Sequence, residues 1–195
     1  LSVTSTADDR KPASSRYEWS GTTLAKVIDP VSGRFMKLDY ATGTSTCPGG
    51  APSSMGGLSF STGLLCALTH FDGSKTFFLY DSARLARILE PGGEVTDFGW
   101  NAEGRLAKVR TPLVNDVIAA GGLPASSADG YYEVSYDSLG RVIYVNEPLA
   151  RAGEYRRHRN IVYSTGETRV LIAGRSRPNG YNRLVQYDVL GRMIY

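Results

Sequence analysis

Tyr136-Asp137-Ser138-Leu139-Gly140-Arg141-Val142 is the stretch on which the reading of the fold turns. An aromatic residue closes one run of alternating apolar residues, and an aliphatic residue opens the next. Between them, the Asp side chain can accept hydrogen bonds from turn N–H groups. The glycine can take the positive φ that closes a longer hairpin loop. The segment predicts two antiparallel strands, with Tyr136 ending the incoming one and Arg141-Val142 starting the outgoing one.

Working outward, the pattern aromatic-(Asp/Asn)-x-x-Gly-Arg-apolar recurs along the chain. It is found at Trp100-Asn101-Ala102-Glu103-Gly104-Arg105-Leu106 and at Tyr187-Asp188-Val189-Leu190-Gly191-Arg192-Met193. Tyr80-Asp81-Ser82-Ala83-Arg84-Leu85 is a shorter version without the glycine. A second pattern follows three of these motifs and also occurs near the N-terminus. Leu24, Leu85, Leu106 and Val142 each lead, through a second aliphatic, to a proline at Pro30, Pro91, Pro112 and Pro148. Proline lacks the N–H that a ladder needs, so each is predicted to end its strand.

The incoming strands keep aromatic or aliphatic residues at the strand period of two: Phe78 and Tyr80, Phe98 and Trp100, Val134 and Tyr136, Val185 and Tyr187, with Leu38 and Tyr40 as a fifth pair. One face is thus expected to carry a ladder of rings, the other polar residues such as Glu133 and Gln186. Recurrence at one place in each repeat points to the core side of the sheet. The rival reading is an exposed platform on which sugar rings stack.

Two inserts interrupt the repeats. Residues 42–63 are rich in Gly, Ser, Thr and Pro and read as a long loop with little core to hold it. In the insert at 113–130, apolar residues at 113, 114, 117 and 118 predict a short helix stopped by Gly121-Gly122. Residues 1–16 read as a polar lead-in or tail, and 17–195 as the sheet segment.

Motif and spacing together resemble the YD repeat of bacterial Rhs proteins, toxin-complex shell proteins and animal teneurins. The resemblance covers residues 17–195. It implies an all-β fold of antiparallel hairpins forming part of a spiralling sheet or shell. It further implies a structural scaffold segment of a large secreted or cell-surface protein, whose shell encloses a toxin or C-terminal domain. Its partners are then the remaining repeats of a parent chain, with self-association through open sheet edges. The residues carried over are structural: Tyr80, Asp81, Trp100, Asn101, Gly104, Arg105, Tyr136, Asp137, Gly140, Arg141, Tyr187, Asp188, Gly191 and Arg192. An extracellular setting also favours a disulfide between Cys47 and Cys66, which would pin the first insert to the strand Leu64–Phe71. The Asp-Pro-x-Gly elements at which Rhs proteins cut themselves are not matched, because Asp29-Pro30 is followed by Val31-Ser32-Gly33.

Other function classes find little support. The net charge of +3 is mild and singles out neither nucleic acid nor membrane. No apolar run is long enough for a membrane-spanning helix. With only two widely separated histidines, His70 and His158, and two cysteines, Cys47 and Cys66, no metal framework is expected, and no cofactor. Asp72, Asp81, Asp137 and Asp188 stand at turn positions rather than as a catalytic pair, and no nucleophile elbow is present. The expectation is a protein that is not an enzyme. A basic cluster at Arg151, Arg156, Arg157 and Arg159 reads as a solvated loop, with phosphate binding as its rival. The alternative function is a glycan- or protein-binding module using exposed aromatics. The start at Leu1 and the strand-like end Met193-Ile194-Tyr195 read as ends within a longer protein.

Overall fold

The computed structural model describes residues 3–5, 13–124, 126, 128–149, 155–174, 177–186, 188 and 192–194. Among the described residues its strands are antiparallel throughout, as the hairpin repeats predict, and it holds one short helix. The chain divides into two compact units, Leu1–Val95 and Thr96–Tyr195.

The first unit holds β1 (Val3–Ser5), β2 (Ala13–Ser20), β3 (Thr23–Ile28), β4 (Phe35–Tyr40), β5 (Leu65–Thr69), β6 (Lys75–Asp81) and β7 (Arg84–Leu89). Each pairs with the next in chain order. Residues 1–16 contain β1 and the start of β2, paired with Val3 opposite Ser15. The sheet therefore begins earlier than the boundary at 17, because polar Ser and Thr side chains do not prevent backbone pairing.

The second unit holds β8 (Val95–Trp100), β9 (Leu106–Arg110), α1 (Pro112–Ala119), a 3-10 turn (Ala128–Gly130), β10 (Tyr132–Tyr136), β11 (Val142–Asn146), β12 (His158–Ser164), β13 (Glu167–Gly174) and β14 (Arg177–Gln186). Its strands also pair in chain order. The helix of the second insert starts with Pro112 in its first turn, where a missing N–H costs nothing. It stops at Ala120 and Gly121, whose N–H groups bond Asp116 O and Ile118 O at 2.9 Å. Gly121 takes a φ of 77°, so the glycine stop forms as predicted.

The prolines act as the spacing suggests. Strands β3, β7, β9 and β11 end at Ile28, Leu89, Arg110 and Asn146, each just ahead of its proline.

The core of the first unit corrects two expectations. The insert 42–63 is irregular, yet it is packed rather than loose: its Cys47 and Phe60 join Ala41, Cys66, Ala67 and Leu79 in one buried cluster, with Met55, Leu58 and Phe77 against it. Phe60 is 1% exposed. The rings are also not uniformly the core side. On β6 Leu79 is fully buried, on the face opposite Phe78, and on β4 the buried residue is Asp39, between Leu38 and Tyr40. The insert covers that face, so residues expected to meet solvent are buried. Tyr80 is buried too, whereas Trp100 is 38% exposed.

Candidate functional site

The motif residues build one local device, repeated. At each hairpin of this type the outgoing strand carries an extra residue. Trp19 lies opposite Leu24 while Glu18 lies opposite Lys26, leaving Ala25 as the bulge. Tyr40 opposite Leu65 leaves Cys66, Tyr80 opposite Leu85 leaves Ala86, Trp100 opposite Leu106 leaves Ala107, and Tyr136 opposite Val142 leaves Ile143. A bulge bends its strand and increases the local twist. It recurs at the same place in these five strand pairs.

The aromatic residue has a second role. Tyr136 Oη donates to Leu106 O at 2.7 Å, Tyr80 Oη to Leu65 O at 2.7 Å and Tyr163 Oη to Val142 O at 2.9 Å. Each acceptor is the residue just before the bulge of the preceding hairpin. The tyrosine thus fastens one hairpin to the one before. Burial raises the Tyr80 phenol above its ordinary pKa, which keeps it a donor. The motif arginine adds to the link: Arg105 lies 5.6 Å over the Tyr136 ring and Arg141 lies 4.4 Å over the Tyr163 ring.

The turn residues behave as their chemistry predicts. Asp137 Oδ1 accepts from the N–H groups of Leu139 at 3.0 Å and Arg141 at 2.9 Å. Asn101 Oδ1 accepts from Arg105 N at 2.8 Å, and Asp188 Oδ1 from Arg192 N at 2.9 Å. Gly104 and Gly140 take φ values of 76° and 81°. The Arg141 N–H, together with the paired Arg141 side chain, holds the Asp137 carboxyl below the usual carboxylate range. At the shorter motif Asp81 lies opposite Arg84, and Ser82 and Ala83 both have positive φ, the requirement of a two-residue type I′ turn. Tyr187 and Gly191 lie outside the described residues.

Of the remaining candidates, Arg156, Arg159 and His70 make structural contacts, while Arg157 is exposed. Arg156 donates to Glu133 Oε2 at 2.8 Å, Tyr131 O at 2.6 Å and Glu147 O at 3.0 Å, while Arg159 pairs with Glu147 at 2.7 Å. These two arginines of the basic cluster are thus engaged within the protein; Arg151 lies outside the described residues. His70 Nε2 lies 3.1 Å from Thr76 Oγ1, which donates to Glu90 Oε2 at 2.8 Å, a clasp between two neighbouring turns. Among the described residues no three His, Cys, Asp or Glu side chains converge as a metal site. No helix among them is long and apolar enough to cross a membrane.

Cys47 and Cys66 form a disulfide with Cα atoms 5.9 Å apart, as the resemblance implied. A groove of about 730 Å³ runs between the insert residues Ala51–Ser54 and the sheet residues Lys75, Phe77, Arg87 and Glu90.

The fold has solved counterparts. A crystal structure of TcdB2-TccC3-Cdc42 matches 94% of this chain with a TM-score of 0.51 at 14% identity. A crystal structure of TcdB2-TccC3 without hypervariable C-terminal region matches 94% with a TM-score of 0.50 at 12% identity. A structure of the Photorhabdus luminescens Tc holotoxin pore matches 92% at 16% identity, with a TM-score of 0.47. In each case this chain spans 10% of the other chain. No family model matches the sequence, and no curated protein matches it. The likeness is therefore one of fold.

Two members of the repeat escaped the sequence motif. Trp19 stands opposite its hairpin's bulge and Tyr163 makes the hydroxyl link, yet their turns are two-residue turns closed by Gly21 and Gly166, without Asp. The signal that could have found them is the spacing of two in Tyr17–Trp19 and Ile161–Tyr163.

Proposed function

We propose that this chain is a structural scaffold segment of a larger secreted or cell-surface YD-repeat protein of the Rhs/teneurin type, contributing hairpins to a β-shell that encloses a toxin or C-terminal domain. The observation that carries the reading is the bond from a tyrosine hydroxyl to the bulge of the preceding hairpin, made by Tyr80, Tyr136 and Tyr163. Such a link lets hairpins be added in series, which suits a wall rather than a reaction centre. No step of chemistry is assigned to the chain, and its function in this reading is steric. The extracellular setting is supported by the Cys47–Cys66 bond. Strand β1 shows a single strand neighbour among the described residues, and such an edge invites pairing with a further repeat or another copy. Electron microscopy of the full parent chain tests the proposal: a hollow shell with this segment in its wall is expected. A small isolated domain on flexible linkers would overturn it.

A second reading, a glycan- or protein-binding module, is favoured by specific rings. Trp19 and Phe71 are more than half exposed, and Arg34 lies 4.4 Å over the Phe71 ring. Saturable glycan binding that disappears in both Trp19→Ala and Phe71→Ala would establish it.

A further inference from the structure

Cys66 is the extra residue of the bulge between β4 and β5, since Asp39 faces Ala67 and Tyr40 faces Leu65. A bulge residue is left out of the regular ladder, and this one carries a covalent bond to Cys47. The disulfide therefore joins the sheet to the first part of the insert, Cys47–Ser54.

The two arms of the insert are held by different means. The later arm is tied into the sheet by backbone bonds, Ser59 N to Tyr80 O at 3.2 Å and Tyr80 N to Ser59 O at 2.7 Å. It also carries the fully packed Phe60, whose N–H bonds Thr44 O at 2.9 Å. The earlier arm has no backbone bridge to a named strand among the described residues. Besides the disulfide, its one long-range hydrogen bond among the described residues runs from Lys75 Nζ to Gly49 O at 2.5 Å.

The earlier arm also lies over a poorly satisfied group. A Cβ placed on Gly49 would stand 2.6 Å from Ala67 Cβ and 2.8 Å from Asp39 Oδ2, so the Gly49 backbone sits directly on both. Asp39 Oδ1 meets Lys37 Nζ at 2.9 Å, but Oδ2 is buried with no hydrogen-bond partner. A buried carboxylate oxygen without a donor favours any motion that admits water. The covalent bond opposes that motion.

We propose that Cys47–Cys66 is a redox latch: when a dithiol reduces it, Cys47–Ser54 lifts as a flap while the Ser59–Phe60 arm and the strands stay in place. In the reaction one thiolate of the dithiol attacks Sγ of Cys47, the less deeply buried of the two residues. The bond to Cys66 breaks, and Cys66 leaves as a thiolate that takes a proton. The second thiol of the dithiol then attacks the mixed disulfide, releasing Cys47 as a thiol and closing the reductant into a cyclic disulfide. Two electrons and two protons pass to the protein. Lifting the flap hydrates Asp39 and removes the Ala51–Ser54 wall of the groove.

Hydrogen exchange on the whole chain tests this, comparing oxidised protein, protein held in dithiothreitol and the Cys47→Ser variant. In the reduced protein and the variant alike, the amides of the buried Gly49 and of Gly50, whose N–H bonds Cys47 O at 2.9 Å, should exchange about tenfold faster or more, while those of Ser59 and Tyr80 keep their protection. Unchanged exchange at Gly49 and Gly50 would show that packing alone holds the arm and would overturn the latch. Loss of protection at Tyr80 and along β6 would overturn it in the other direction, because the bond would then hold the unit rather than a flap.

Discussion

Tyr136 and Leu106 are thirty residues apart in sequence, and the tyrosine hydroxyl meets the leucine carbonyl at 2.7 Å. The acceptor lies at a bulge, where the ladder is locally disrupted. Tyr136→Phe keeps the ring under Arg105 and removes only the hydroxyl. An intramolecular hydrogen bond contributes about 0.5–1.5 kcal/mol, and an acceptor left buried without a donor costs about 1–3 kcal/mol. The expected loss is about 1–2 kcal/mol, read as a lower denaturant midpoint at unchanged m-value. A midpoint equal to wild type would show that the link between hairpins carries no stability.

How much of this was legible depends on where the signal lay. The Asp/Asn-x-x-Gly turns are local, so Asn101, Gly104, Asp137 and Gly140 could be read directly from spacing. The bulges were not legible, because Ala25, Cys66, Ala86, Ala107 and Ile143 look like ordinary strand residues until pairing is known. Nor was the core around Phe60 and Leu79. An irregular insert has no period to read, and its burial is set by contacts far along the chain. The disulfide was anticipated through the family resemblance, but the bulge position of Cys66 was not.

At Gly140 the backbone sits at a φ of 81°. A β-branched residue is strained there, and its Cβ would come within 3.1 Å of the Arg105 guanidinium. Gly140→Val should therefore destabilise by about 1–3 kcal/mol. Thermal melting checks this, and an unaltered melting temperature would contradict the turn geometry.

The opposite change is expected at Ala83, which holds a φ of 64° without being glycine. The left-handed conformation costs an L-residue roughly 1–2 kcal/mol, offset partly by the extra freedom of glycine in the unfolded chain. Ala83→Gly should stabilise by about 0.5–1 kcal/mol in urea unfolding. A loss of stability would mean that the Ala83 methyl group makes a contact worth more than the strain.

Acid should loosen the turns selectively. The Val31 N–H lowers the Asp29 carboxyl, the Ser74 hydroxyl lowers Asp72, and the Arg141 N–H lowers Asp137. Groups whose folded pKa is depressed stabilise the fold above their unfolded value, about 3.9, and that stability is lost as pH falls through the folded value. Melting temperature should therefore be flat from neutral pH to about 5 and drop below about 4. Asn101 shows that an amide oxygen can serve the same turn. The triple variant Asp29→Asn, Asp72→Asn, Asp137→Asn should then show a shallower acid drop, and an identical acid profile would assign the loss to other carboxylates.

The sharpest division between a loose insert and a packed one lies at Phe60. A ring on a floppy loop could be truncated at almost no cost. Phe60 instead is 1% exposed and belongs to the cluster with Leu79, Ala67 and Cys66. Large-to-small changes at such sites remove the transfer free energy of the ring and leave a cavity, together about 3–5 kcal/mol. Phe60→Ala should therefore cost about that much of the first unit's stability. Part of the cost can be recovered if the insert collapses into the space, so Phe60→Leu, which keeps most of the volume, should cost distinctly less. Both variants retain Cys47 and Cys66, and measuring them oxidised keeps the disulfide out of the comparison. If Phe60→Ala melts within a degree or so of wild type, the insert does not form the core of this unit, and the packing drawn around the disulfide is wrong with it.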